Sequence, residues 1–312
     1  MGLFNRLLGL QPGPPGVVLA LGGGGARSLA HVGVLEVIEE ADVRVAGIAG
    51  TSAGAVVGAM WLTLGNAAAV AERWREFLAA GIAPSLPDIR LTMSVTSRDN
   101  PILHFARRVR QGAVVALALD RTSLVTHDAL ENAIGFLFPD VEIGSLRMPF
   151  AAVATDFDTG DPVALTRGSL RLAVAASCAI PAVVPPYTIG ARNLIDGGTV
   201  ADVPVEQAAA LARRPVVAVE VGEAWGEADP GTITLPRAML RGANMTHRAL
   251  REAQLRDAAL VIRPDVGSAH WSEFERFEEA RAAGHAVAQR VVLRMQALAA
   301  RRRGAGSEPE AA

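Results

Sequence analysis

Gly50-Thr51-Ser52-Ala53-Gly54, following the glycine run Gly22-Gly23-Gly24-Gly25 by one helix and one strand, decides how the chain is read. A serine with glycines two positions away on each side fits a tight strand-to-helix turn that exposes the hydroxyl. The same spacing fits an ordinary serine capping a helix in a glycine-rich turn. The upstream run is suited to presenting backbone N–H groups to an anion. A dinucleotide-binding fingerprint fits it poorly. The third glycine position is Ser28, and the second strand ends in Gly-Thr-Ser where an acid for a ribose would stand.

Working outward, Val17 to Leu21 is a continuous apolar run, expected as a strand buried on both faces. Ser28 to Glu40 reads as a helix, Val43 to Ala49 as a second strand and Ala53 to Leu64 as the next helix. This is a βαβ unit with both glycine elements at the carboxyl ends of its strands, where open α/β sheets bind ligands. Residues 66–140 are expected to be mostly helical, with turn signals at Pro84, Pro87 and Pro101. Strand character returns at Phe150 to Thr155. The turn Asp158 to Asp161 then leads into Pro162 to Thr166, a hairpin signature. Asn193-Leu194-Ile195 precede Asp196-Gly197-Gly198, and further strands are expected at Pro215 to Val221 and Ala258 to Ile262. Amphipathic helices are expected over residues 237–257 and 271–300. Residues 1–16 read as a flexible lead-in, 17–300 as one domain and 301–312 as a disordered tail.

Of the 312 residues, 50% are hydrophobic and 20% charged, a globular composition. No uncharged apolar run approaches the roughly 18 residues of a membrane-spanning helix. The first residues have too short an apolar stretch for a signal peptide, and Arg6 stands where a myristoylation signal wants Ser or Thr. A cytoplasmic protein is expected, with peripheral contact at the inner membrane face through the N-terminal piece or the 66–140 helices. All 30 basic residues are arginine, which excludes a P-loop lysine, a Schiff-base lysine and a lysine general base. A formal charge of −2 gives no reason to expect a nucleic-acid partner. Cys178, the one cysteine, reads as a buried small residue.

Acyl transfer needs a nucleophile, a base and donors for the developing oxyanion. Ser52 is the candidate nucleophile, and the amides of Gly23, Gly24 and Gly25 are the candidate donors. None of His31, His104, His127, His247, His270 and His285 lies at a strand end or in a glycine-rich context. His31 suits a supporting role better than that of base. Asp196 ends a strand and precedes two glycines, so its carboxylate can be delivered into a cleft as a base acting directly on serine; the competing reading is a plain Asp-Gly turn. Asp156 and Asp158, flanking a turn, read as structural.

The stretches LALGGGGARSLAHVGVLEVIEE, IAGTSAGAVVGA and IDGGTVADVPV, with ATDFDTGDPVAL and AASCAIPAVVPP between them, resemble the patatin-like phospholipase family, especially its bacterial members. The likeness runs from about Val17 to about Leu298. It implies a three-layer α/β/α sandwich with a mostly parallel central sheet, and lipid acyl hydrolysis by a Ser–Asp dyad without histidine. Carried over, Ser52 is the nucleophile and Asp196 the proton acceptor. Gly23, Gly24, Gly25 and Arg27 form the oxyanion motif, while Gly50, Gly54, Gly197 and Gly198 support the two catalytic turns. The implied substrate is a phospholipid or lysophospholipid, with no metal and no cofactor. Ser28 departs from the family's glycine. A positive φ there would strain the loop, whereas helical backbone would leave it intact. Asp202 stands where the family often shows Asn. Trp61, Trp74, Phe77, Leu78, Ile82 and Phe105 read either as the lining of an acyl channel or as plain core. Two other readings are a catalytically silent lipid-binding protein of the same fold, motivated by Ser28, and a Ser-His-Asp esterase using His247, His270 or His285.

Overall fold

Each strand residue from Val17 to Leu21 is fully buried, yet alternate side chains enter different cores. Val17, Leu19 and Leu21 join one apolar cluster, and Val18 and Ala20 join another on the opposite face. That division makes the protein three-layered. The computed structural model describes residues 16–82, 125–222, 235–267 and 269–300.

Strand β1 (Val17–Leu21) leads through a 3₁₀ turn (Gly25–Leu29) into α1 (Ala30–Glu40), then β2 (Val45–Thr51) and α2 (Ala53–Leu64). α3 (Ala67–Ala79) and α4 (His127–Leu137) follow among the described residues, before the hairpin of β3 (Phe150–Asp156) and β4 (Pro162–Leu165). Next come α5 (Leu170–Ser177), β5 (Tyr187–Ile189), β6 (Arg192–Asp196), α6 (Val205–Leu211) and β7 (Val216–Val219). α7 (Leu235–Leu255), β8 (Leu260–Ile262) and α8 (Phe277–Ala300) close the described chain. The sheet runs β5-β6-β3-β2-β1-β7-β8, with β4 paired to β3. β1, β2, β3, β7 and β8 pair in parallel, as the βαβ reading requires. The larger core lies between the sheet and α1, α2, α3, α4, α5 and α8; the smaller holds α6 and Leu255 of α7. The expected α/β/α sandwich is what forms.

Boundaries shift for local reasons. β2 begins at Val45 because Asp42 takes a left-handed turn (φ 49°) on leaving α1. The helix after the glycine run starts as 3₁₀ and becomes α only at Ala30. The β3–β4 turn is closed by Asp156, whose Oδ1 accepts the Asp158 N–H at 3.0 Å, so that carboxylate is structural. Trp61, Trp74 and Phe77 are buried core, and Leu78 and Ile82 pack against it. Phe105, Pro84, Pro87, Pro101, His104, residues 1–15 and the 301–312 tail lie outside the described residues. Among the described residues no single helix is long and apolar enough to cross a membrane.

Candidate active site

β3 brings the two key residues together. β2 stops pairing with it at Thr51, opposite Val153, and β6 arrives antiparallel with Asp196 opposite Ala154. Thr51 and Asp196 therefore face neighbouring residues of one strand, although 144 positions lie between them in the chain. The Thr51 hydroxyl donates to the Ala201 carbonyl at 2.7 Å, tying the end of β2 to the loop after Asp196.

Ser52 sits at the turn from β2 into α2 with φ 53° and ψ −127°, a conformation L-residues rarely adopt. Such strain costs about 1–3 kcal/mol and persists only where the surroundings enforce it. Two features enforce it here. The Ser52 N–H donates to the Ser177 hydroxyl at 2.9 Å, and that hydroxyl donates to the Val153 carbonyl at 2.6 Å. One turn on, α2 packs so tightly against the end of β1 that a Cβ on Gly54 would run into the Leu21 and Gly22 carbonyl oxygens. Ser52 is thus 9% exposed, with its hydroxyl close enough to Asp196 and Cys178 to influence the ionisation of both.

Asp196 is 6% exposed. Burial pushes its carboxyl up to about 7; hydrogen bonds from Ser52 and from the Gly198 N–H oppose this, and the Asp202 charge adds to it. The Gly198 bond is 2.7 Å long. Thr155 donates to the Asp196 carbonyl at 3.1 Å, and the Asp196 N–H donates to Ala179 at 2.8 Å, so the residue is fixed on both sides. A carboxyl titrating near neutrality, in contact with a serine hydroxyl, can take and return a proton at physiological pH.

The glycine run divides its tasks. The Gly22 carbonyl accepts from the Ser28 hydroxyl at 3.2 Å and from His31 Nε2 at 2.8 Å. His31 is fully buried, and burial pushes it down to about 4 against the pull of that carbonyl, so the ring is neutral and donates through Nε2–H. This is the supporting role expected of it. Ser28 is helical, its φ not positive, and the departure from glycine leaves the loop unstrained at that position. The Gly23 N–H is spent on the Asp202 carbonyl at 2.9 Å. Among the described residues the N–H groups of Gly24 and Gly25 have no hydrogen-bond partner. Gly25 must be glycine: its φ is 58°, and a Cβ would collide with the Trp271 carbonyl. Arg27 lies in the last turn of the 3₁₀ segment.

The candidate triad histidines serve other groups. His247 Nε2 meets the Gly198 carbonyl at 2.6 Å, His270 Nδ1 meets Ser272 Oγ at 2.7 Å, and His285 meets Glu40 at 3.4 Å.

Residues 19–209 match the sequence profile of the patatin-like phospholipases. The chain belongs to that family. An uncharacterised NTE-family protein of Mycobacterium tuberculosis is 30% identical over 238 residues, 75% of this chain and 56% of that protein. Patatin-like phospholipase domain-containing protein 6 of Homo sapiens is 31% identical over 221 residues, 70% of this chain and 14% of that one. The chain thus spans little more than half of the first relative and a small part of the second. Among solved structures, VipD from Legionella pneumophila aligns with a TM-score of 0.48 at 15% identity, over 90% of this chain and 67% of that one.

For this patatin-like chain, sequence reasoning missed two residues that touch the nucleophile turn. Ser177 braces the Ser52 amide from the last turn of α5. Cys178 follows it, half-buried as a residue but with its thiol inside. Burial pushes that thiol well above the ordinary range, the Asp196 charge adds to the effect, and the Ser52 hydrogen bond opposes it. Their advance signals were the family-like stretch AASCAIPAVVPP and the small, apolar run Ala175 to Ala179 within it, which reads equally well as core.

Proposed function

We propose that the protein is a carboxylic ester hydrolase acting on lipids, phospholipids or lysophospholipids, with Ser52 as nucleophile and Asp196 as base. The observation that carries this reading is the juxtaposition of a strained, nearly buried serine with a carboxyl that burial raises to about 7.

Ser52 Oγ attacks the ester carbonyl carbon while its proton passes to Asp196 Oδ. The tetrahedral oxyanion is received by the Gly24 and Gly25 amides, where each such donor contributes about 2.7–4 kcal/mol to catalysis. Collapse breaks the ester C–O bond, and Asp196 returns the proton to the departing alcohol. Asp196 then draws a proton from water as that water attacks the acyl-enzyme, and hands it to Ser52 Oγ as the C–Oγ bond breaks, releasing the fatty acid and restoring both residues. Every proton is carried by protein side chains already in place, and the scheme needs neither metal nor cofactor. The neutral His31 stiffens the loop from below through Gly22. Substrate drawn from a bilayer implies peripheral membrane contact on the cytoplasmic side.

The test is labelling of purified protein by a fluorogenic fluorophosphonate. Wild type should label, and Ser52→Ala and Asp196→Asn should not. Labelling that survives Ser52→Ala would refute the assignment, and absence of labelling in wild type would favour a silent lipid-binding protein.

A further inference from the structure

α7 lies outside the sheet core for most of its length, yet one of its faces is committed to the active-site loops. His247, Arg251 and Gln254 stand at i, i+4 and i+7, one stripe of a helix. His247 Nε2–H donates to the Gly198 carbonyl at 2.6 Å. Gln254 Nε2 donates to the Val200 carbonyl at 2.5 Å and its Oε1 accepts from the Val203 N–H at 3.4 Å. Between them Arg251 Nη1 meets Asp202 Oδ2 at 3.2 Å, and its Nε meets Glu220 Oε1 at 3.3 Å. Three successive side chains thus hold the loop that leaves Asp196, at four of its positions.

Asp202 carries the contact further. Its backbone carbonyl is the acceptor of the Gly23 N–H, and its Oδ1 lies 3.1 Å from where a Gly23 Cβ would stand and 3.7 Å from that of Gly198. One residue therefore touches both the glycine loop and the Asp196 turn. It is 7% exposed, so its charge requires a partner, and Arg251 is that partner.

We infer that Asp202 and Arg251 are a positioning pair, through which α7 sets the glycine-loop amides and the Asp196 carboxylate relative to Ser52. Neither side chain touches substrate. The inference deepens the hydrolase reading and rests on it for its catalytic consequence. Its structural content, that Arg251 fixes both loops, stands independently. A misplacement of about 1 Å at reacting groups costs on the order of 100-fold in rate, so a clamp of this kind is visible in kinetics. It also leaves an electrostatic signature. The ionisable groups around Asp196 are Cys178 after α5, Asp202 on the following loop and His247 and Arg251 on α7, with Glu220 at the end of β7 behind Arg251. Removing the Asp202 charge eases ionisation of Asp196, and removing Arg251 leaves the Asp202 charge uncompensated and opposes it.

Full-length Arg251→Gln, Arg251→Lys, Asp202→Asn and the Arg251→Gln/Asp202→Asn double variant are compared with wild type in two measurements. In hydrolysis of p-nitrophenyl butyrate between about pH 5 and 9, Arg251→Gln should lose on the order of 100-fold in kcat with KM little changed. Arg251→Lys should recover part of that loss, and the double variant should lose less than Arg251→Gln alone. The acid limb of kcat/KM should move up for Arg251→Gln and down for Asp202→Asn, a divergence that a general loosening would not produce. In hydrogen-exchange mass spectrometry, peptides covering residues 22–27 and 197–203 should exchange faster together in Arg251→Gln. Wild-type exchange in both peptides, or acid limbs moving in the same direction, overturns the clamp. Inactive wild type with linked exchange in the two peptides would overturn the hydrolase reading and leave the clamp standing. If Arg251→Gln does not fold, Asp202→Asn and the double variant carry the comparison.

Discussion

Asp196→Asn should make the protein more stable at alkaline pH while abolishing its chemistry, and the gain should depend on pH in a defined direction. The carboxyl, ordinarily at 3.8, is raised by burial to about 7. The folded state therefore prefers the protonated form, by about 4 kcal/mol. Below about pH 4 the group is protonated whether the chain is folded or not, and no penalty applies. As pH rises through 7 the unfolded chain has long been ionised, the folded one must follow, and the full penalty is reached. Asparagine keeps an oxygen for the Gly198 N–H and the Ser52 hydroxyl, but its amide hydrogens add a fixed cost of about 1–3 kcal/mol if unpaired. That cost is nearly constant with pH and cancels in the comparison across pH. Urea unfolding of wild type and Asp196→Asn at about pH 4, 6 and 8 should therefore show the variant gaining about 4 kcal/mol relative to wild type from the lowest to the highest pH. A relative gain under about 1 kcal/mol would mean that the carboxyl titrates near its ordinary value, and the case for Asp196 as a base poised at neutrality would fail.

Ser177→Ala deprives the Ser52 N–H of its acceptor and the Val153 carbonyl of a donor, two buried losses of about 1–3 kcal/mol each. The melting temperature should drop and fluorophosphonate labelling of Ser52 should slow at least about tenfold, equivalent to 1.4 kcal/mol; labelling at the wild-type rate would show that the brace is dispensable. Gly54→Ala drives a Cβ into two backbone carbonyls and should destabilise by about 1–3 kcal/mol or more, with loss of labelling. Gly144→Ala, which meets nothing within 4 Å, serves as its control and should stay within about 0.5 kcal/mol of wild type in denaturant melts. Because burial holds the Cys178 thiol protonated, iodoacetamide at about pH 8 should leave the folded protein unmodified and alkylate it only in denaturant; rapid alkylation of the native protein would contradict the placement of the thiol.

The central layer was legible because its strands are short apolar runs bounded by turn residues. Val17–Leu21 falls where its pattern places it, as does the helix Ala53–Leu64 beside the sheet, and the hairpin after Phe150 follows from Asp158-Thr159-Gly160. Strand β5, three residues long, was not anticipated because Tyr187–Ile189 is too short to show an alternation. Ser52 and Asp196 could be named as candidates because glycines mark each turn, but their meeting depends on register along β3, a non-local property. The same limit hid the rest of the site. Nothing near Asp202 announces Arg251, and nothing near Gly23 shows that its amide is spent on Asp202 while those of Gly24 and Gly25 are left available. Ser28, a departure when judged against a motif, is accounted for once its helical backbone and its bond to Gly22 are seen.

The end-on meeting of β2 and β6 against β3 has a consequence for the order in which the protein acquires reactivity. Chains are made from the amino end, and the first βαβ unit, with its serine turn and glycine loop, emerges long before Asp196. Until β6 takes its place at Ala154, Asp196 is not beside the Ser52 turn and Asp202 cannot reach Gly23. In the proposed scheme a chain that has not yet placed β6 is therefore inert toward lipid, and hydrolytic capacity switches on only after that strand joins β3.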